Sequence, residues 1–376
     1  MDRVRLKAEW EEQVAILMAF PHINSDWALH IDRARECFIR IIEHILCFES
    51  VILCIDVRDN EGIELLCDYF KPSSNVKNTE SSAISAYIRT HIRDDVPQVS
   101  ITNPFLPHFM LDSHFTLHIV RIHSNDTWAR DFGGIGIEKA GNGEMLKFMF
   151  NGWGLKYPAN YDNRIVRDIF TPQYMTQADM VLEGGSIESN GAGVLLTNTQ
   201  CLLEPNRNPH LAQSDIESKL KAYFGLKQVL WLHNGYLEGD DTDSHIDTLA
   251  RFITPDTIAY IACADREDSH FEALKCMETE LKALKQPNGE PYKLIALPFT
   301  QAIYDEHKQR LPSSYANFLF VNNALLVPTY DDKNDSKALA ILSRALPHYK
   351  VVGVPCSSLI LWHGSLHCVT MQLYAD

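Results

Sequence analysis

Short apolar runs rich in β-branched residues alternate along this chain with longer segments whose apolar positions recur at helical spacing. The runs Val51–Ile55, Leu117–Ile122, Val194–Thr197, Val229–Leu232, Thr257–Ala262, Leu294–Leu297, Phe318–Val321 and Val351–Val354 predict strands. Between them, Ala28–Leu46, Ile216–Phe224, Phe271–Leu284 and Lys337–Leu346 predict amphipathic helices. Ser214 with Glu217, and Ser269 with Glu272, match the capping box, in which each side chain satisfies an orphan helix N–H. Asn190-Gly191 between two β-prone runs predicts a hairpin, since both residues tolerate positive φ. The alternation predicts an α/β fold. No stretch rich in Pro, Gly or Ser divides it, so a single domain over residues 1–376 is expected.

Polar clusters flanked by glycine follow the strands, centred on Asp131, Glu183, His245, Asn317 and Cys368, with gaps of 52, 62, 72 and 51 residues. That spacing suits a repeated αβ module, each copy sending one cluster toward a shared axis.

Composition narrows the picture. Hydrophobic residues at 45% and charged residues at 22% are globular values. Met1–Lys7 lacks the apolar run of a leader and no stretch is long and apolar enough to span a bilayer, so a cytoplasmic protein with no membrane partner is expected. Nine cysteines without a Cys-x-x-Cys pair argue against a disulfide framework and a cysteine zinc site. A formal net charge of −15 disfavours nucleic acid and suits a cationic ligand. Association into a homo-oligomer stays open.

Cys368, between a glycine turn and a short β-prone run, is placed as a nucleophile would be, yet alone it reads more readily as a buried structural thiol. His367 beside it is a poor partner, because neighbours on a strand point to opposite faces. His245 and Asp247, at i and i+2 of an expected strand Ser244–Phe252, share a face and pair an imidazole with a carboxylate for acid–base work. A divalent metal would also suit them, but no second histidine stands at a ligand spacing. Trp128 and Asp131 offer a planar cation a π face and an acceptor of two parallel N–H bonds. Glu183, before Gly184-Gly185, adds a carboxylate that a hairpin turn would equally explain.

Taken together, Glu9-Trp10 with Pro21-His22, Asn125–Asp131, Leu182–Ser186, Cys201–Leu203 before Asn206–Pro209, His245-Ile246-Asp247, Ser314–Phe318 and His367–Thr370 resemble the agmatine deiminase branch of the guanidino-group-modifying, or pentein, superfamily. The resemblance implies a pentein α/β propeller of about five ββαβ-type modules around a pseudo-fivefold axis, with a central active site. It implies Cys368 as nucleophile, His245 as general acid–base, and Asp131 and Asp247 as the carboxylates gripping a guanidinium. Glu183 would orient the histidine and Trp128 would wall the pocket. The implied reaction hydrolyses agmatine to N-carbamoylputrescine and ammonia through an amidino-cysteine, in putrescine and polyamine biosynthesis, without metal or cofactor. Peptidyl-arginine and free arginine are the alternative substrates; a metal-dependent hydrolase and a non-catalytic pentein binding module are readings of other classes. Two departures bear on the pocket. Trp362-His363-Gly364-Ser365-Leu366-His367-Cys368 stands where the family has Gly-Gly-Gly-Asn-Ile-His-Cys, and Ser244 stands where it often has glycine.

Overall fold

A computed structural model describes residues 4–72 and 82–374, so Met1–Arg3 of the Met1–Lys7 start lie outside the described residues. The alternation read from the sequence is realised as an α/β fold in which one pattern recurs: two antiparallel strands, a helix, and a third strand parallel to the second. Ile187–Ser189 and Val194–Asn198 pair antiparallel, and Gln228–Leu232 returns parallel after the helix Gln213–Phe224. Ala250–Thr254, Thr257–Ala262 and Lys293–Pro298 repeat this around the helix Phe271–Ala283. Leu319–Val321, Ala324–Thr329 and Lys350–Pro355 repeat it around Asp335–Ala345. Ile135–Lys139, Asn142–Met149 and Met175–Val181 form a fourth copy, with Val4–Leu6 added at its edge.

The fifth copy joins the two ends of the chain. Met371–Tyr374 pairs antiparallel with Gln13–Ala19, which runs parallel to Ser50–Ile55 after the helix Ile31–Ile45. Thr116–Arg121 and Gln98–Thr102 extend that sheet. Gln13–Ala19 and Ser50–Ile55 are buried at every position, as expected of strands covered on both faces. Helices pack on the preceding copy: Phe271–Ala283 on Gln228–Leu232, Asp335–Ala345 on Lys293–Pro298, and Ile31–Ile45 on Lys350–Pro355. Buried apolar residues of all five copies form one continuous cluster.

Helix positions agree with the periodicity to within about a turn, but two caps do not. The helix at Gln213 starts earlier than Ser214–Glu217 implies, and Asp215 reaches back to the Ala212 N–H at 2.9 Å. Before Phe271 the N-cap is His270, with no side-chain cap; Asp268 accepts from the His270 N–H instead. In both places a nearer carboxylate reaches the free N–H groups first. The Asn190-Gly191 hairpin forms, with Asn190 Oδ1 accepting from Ala192 and Val194 and Gly191 at φ 69°.

This topology brings the polar clusters together. Asp131, Glu183, His245, Asn317 and Cys368 each fall two to five residues ahead of the first strand of a copy.

Candidate active site

Cys368 is buried, and its Sγ faces Asn317 Nδ2 at 3.4 Å and Asp247 Oδ2 at 3.9 Å. Asp131 sits on the short helical turn Ala129–Phe132 and accepts from the Trp153 indole N–H at 2.9 Å and the Gly185 N–H at 3.1 Å. His245 Nδ1 lies 3.6 Å from Asp131 Oδ1. The strand expected from Ser244 does not begin there: His245 precedes the 3-10 turn Ile246–Thr248, and the strand starts at Ala250. Thr242 Oγ1 and Asp240 hold the backbone N–H groups of His245 and Ser244, so the loop aims both His245 and Asp247 into one cleft.

Gly185 shows how tightly these groups converge. A Cβ on it would stand 2.5 Å from His245 Nδ1, 2.9 Å from Asp131 Oδ1 and 3.1 Å from Asp247 Oδ2. The second glycine of Glu183-Gly184-Gly185 is thus demanded by the site, not by a hairpin.

The cleft is lined by Asp26, Asp126, Asp131, Asp240, Asp241 and Asp247 and by Trp128, Trp153, Tyr157 and Trp362, with His245, His363 and Cys368. Among the described residues no lysine or arginine lines it. Two buried atoms there, His245 Nε2 and Asp247 Oδ1, have no partner among the described residues. Unpaired buried polar atoms in a cleft are what a ligand's donors and acceptors would satisfy.

Burial sets the charges. It pushes Asp131 up to about 7, against the Trp153 hydrogen bond, and Asp247 well up, with Asp131 adding to the effect. Asp126 goes to about 6 for the same reason, although Trp27 and Trp128 donate to it. Burial and then the Asp247 carboxylate hold the Cys368 thiol well above its ordinary range. Burial, then Arg207 and Lys156, keep His245 neutral. Burial therefore disfavours charge on the acids and the thiol of this cleft, and a cation among them would favour it.

Glu183 is fully buried, but its carboxylate is taken by Arg207, whose Nε donates to both oxygens at 2.9 Å. Arg207 also donates to Asp243 at 2.7 Å and to the Thr242 carbonyl at 2.9 Å, tying Glu183 to the His245 loop. Its side chain is wholly enclosed. The sequence marks it only as part of Asn206–Pro209; the signal that would find it is the need of a buried Glu for a cation. Glu183, Cys201 and His245 approach one another closely enough to hold a metal, as do Glu9, Glu188 and His367. A guanidinium already occupies each set, Arg207 on Glu183 and Arg251 on Glu9 and Glu188.

Trp153 also escapes a reading by period. Gly152, Trp153, Gly154 and Leu155 all have left-handed backbone, at φ 69°, 54°, 78° and 68°, and this turn delivers the indole N–H to Asp131. The two glycines of Gly-Trp-Gly are its only trace in the sequence.

The mouth is bridged in three places. Trp362 stacks on Trp27 at 4.6 Å and donates to the Asp26 carbonyl, His363 Nδ1 donates to the Gly239 carbonyl at 2.6 Å, and the Tyr157 hydroxyl donates to Asp241 at 2.6 Å. The two sequence departures fall where glycine would be easiest: Ser244 has φ 67° and His363 φ 68°. Glycine is retained at Gly364, where a Cβ would collide with the Trp128 ring.

Residues 5–373 match the family described as Porphyromonas-type peptidyl-arginine deiminase. A solved structure described provisionally as a peptidyl-arginine deiminase is 47% identical, with full coverage of both chains and a TM-score of 0.85. An agmatine deiminase variant of C. jejuni, solved with substrate bound, is 35% identical, covering 100% of this chain and 97% of that one, with a TM-score of 0.80. The agmatine deiminase of Pseudomonas aeruginosa (strain LESB58) is 28% identical over 99% of this chain and 95% of its own.

Proposed function

This chain belongs to the Porphyromonas-type peptidyl-arginine deiminase family, and from that premise we infer that it is an agmatine deiminase, hydrolysing the guanidinium of agmatine to N-carbamoylputrescine and ammonia. The observation that carries this reading is the cleft itself. A thiol lies 3.9 Å from a buried carboxylate whose other oxygen has no partner among the described residues, in a cleft of aspartates and indoles that no described lysine or arginine lines. Such a cleft is complementary to a planar cation with N–H donors.

In the proposed mechanism Asp131 and Asp247 grip the guanidinium and Trp128 flanks it. The substrate's charge lowers the cost of ionising Cys368, and neutral His245 takes the thiol proton. Thiolate attack on the central carbon gives a tetrahedral adduct; His245 returns the proton to one amino group, the C–N bond breaks and ammonia leaves. The amidino-cysteine is then attacked by water, whose proton passes to His245. The C–S bond breaks, the thiol is restored and the ureido product departs. Glu183 acts through Arg207, which fixes the loop carrying His245.

The five recurring strand–helix copies, with three of the helices against the preceding copy and the first copy closed by the last strand, support a pentein propeller around a pseudo-fivefold axis. One continuous core supports a single catalytic domain over residues 1–376. The nine free thiols suit a reducing, cytoplasmic setting. Among the described residues no helix is long and apolar enough to cross a membrane. The product would feed putrescine and polyamine synthesis.

The bridged mouth favours a small guanidine over an arginine within a polypeptide, whose backbone would have to part the Trp362, His363 and Tyr157 contacts. Asp26, Asp240 and Asp241 at the cleft suit the second, aliphatic charge of agmatine. The test is ammonia release from agmatine, arginine and a blocked arginine peptide by wild type and Cys368→Ala, with and without a chelator. Agmatine should be preferred, the chelator without effect and the alanine variant inactive. An active alanine variant, or no turnover of any of the three, ends this reading.

A further inference from the structure

His367 is buried against the back of the cleft, and both of its ring nitrogens face carboxylates: Nδ1 is 2.7 Å from Asp247 Oδ2 and Nε2 is 2.8 Å from Glu9 Oε2. The ring is thus engaged away from the adjacent Cys368 sulfur. Glu9 is itself anchored, accepting the Phe320 N–H at 2.9 Å and the Arg251 guanidinium. Arg251, fully buried, also donates to the carbonyls of Phe318 and Ala316 and pairs with Glu188. The backbone of His367 is fixed too, its N–H donating to Asn317 Oδ1 at 2.8 Å while its carbonyl accepts from Thr370. Arg130 passes behind, its Nε 3.5 Å from that carbonyl. The charged groups around the ring are therefore Asp247 and Glu9 in contact, with Arg130 and Arg251 beyond.

A carboxylate in the cleft has two oxygens and a rotatable stem. In Asp247 one oxygen is held by His367 and the other is unpaired. We propose that His367 is a positioning residue for the deimination: hydrogen-bonded through Nδ1, it pins Asp247 Oδ2 so that Oδ1 is presented to the guanidinium, while Glu9 and Arg251 pin the ring from behind. A second hydrogen is needed, because a neutral imidazole carries one N–H and faces two carboxylates. Glu9 is kept ionised beside Arg251 and accepts from Nε2, while burial and the Arg130 and Arg251 charges oppose an imidazolium, so the second hydrogen is shared along the Nδ1–Asp247 Oδ2 contact and keeps that oxygen bound. The inference rests on the activity proposed above.

Two near-isosteric variants separate positioning from packing. His367→Asn keeps an amide N–H near the place of Nδ1 and loses the Glu9 contact; His367→Gln reaches toward Glu9 and loses the donor to Asp247. Expected are a KM for agmatine within about threefold of wild type in His367→Asn and raised more than about tenfold in His367→Gln, with kcat changed less than KM. Equal KM values in the two variants overturn the proposal, whatever their thermal midpoints. If either variant is insoluble, Glu9→Gln decides: it removes the charge behind the ring and should raise KM at least about threefold, and an unchanged KM overturns the proposal. A wild-type enzyme inactive on agmatine removes the activity, and this inference with it; an active one with unchanged His367→Gln removes the role of His367 alone.

Discussion

Asp131 and His245 face each other at 3.6 Å, on either side of the space that a side chain at Gly185 would fill. They arrive from different copies of the fold, separated by more than a hundred residues, and one backbone N–H, that of Gly185, ties Asp131 into place. The vacancy beside Gly185 is therefore part of the site.

Gly185→Ala should keep the fold and remove the activity. Gly185 has no left-handed φ, so the added methyl is opposed by space alone, with His245 Nδ1 at 2.5 Å and Asp131 Oδ1 at 2.9 Å. Displacing either group by about 1 Å costs on the order of 100-fold in rate. Ammonia release against circular dichroism checks this; a variant within threefold of wild-type kcat/KM would show that the convergence is unimportant.

Stability and activity should run in opposite directions with pH. Asp131 ionises at about 7 in the folded protein, above its unfolded value near 4. The folded state then binds more protons between those values, so this stabilising contribution is full below about pH 4 and is lost as pH rises through about 7. Asp126, at about 6, acts in the same sense. Cation binding needs the carboxylate, so kcat/KM should climb over the upper part of the same window. Thermal midpoints at pH 5 and pH 8, with Asp131→Asn as control, measure the first effect: the midpoint should fall with pH, and less so in the variant.

Arg207→Met should destabilise the protein by about 3–5 kcal/mol, the range for breaking a buried ion pair from one side. The loss comes from Glu183 and Asp243 left without their guanidinium. Urea unfolding of Arg207→Met beside Arg207→Met/Glu183→Leu tests the cause, since removing the orphaned acid as well should recover much of the loss.

His363→Gly should loosen the mouth with little effect on stability. The left-handed backbone at φ 68° costs a non-glycine residue roughly 1–2 kcal/mol, and the hydrogen bond to the Gly239 carbonyl returns about 1 kcal/mol. Relative kcat/KM should move toward the blocked arginine peptide by about tenfold. If the ratio to agmatine stays constant, the His363 bridge does not select substrate.

The candidate residues stood out in the sequence because each lies on a glycine-flanked loop after a strand, and their proposed roles came from the family resemblance. Those loops turned out to lead into the first strands of five similar copies, which is why uneven gaps of 51 to 72 residues still converge. Local chemistry was less legible. Ser214 and Ser269 fit a capping pattern, but Asp215 and Asp268 stand closer to the free N–H groups. His245 and Asp247 reach one cleft, but through a loop held by Asp240 and Thr242 that leads into a 3-10 turn, where strand alternation does not apply.

By itself, the sequence determined the α/β alternation and the candidate set Cys368, His245, Asp131, Asp247, Glu183 and Trp128, because periodicity and residue type are local properties. Only the tertiary structure decided their partners. It put Arg207 on Glu183, turned His367 toward Asp247 and Glu9, and brought Trp153 to Asp131 by a left-handed turn. Each partner is chosen by the need to pair a buried charge or N–H, and which groups become buried together is fixed by the packing of the five copies against one another.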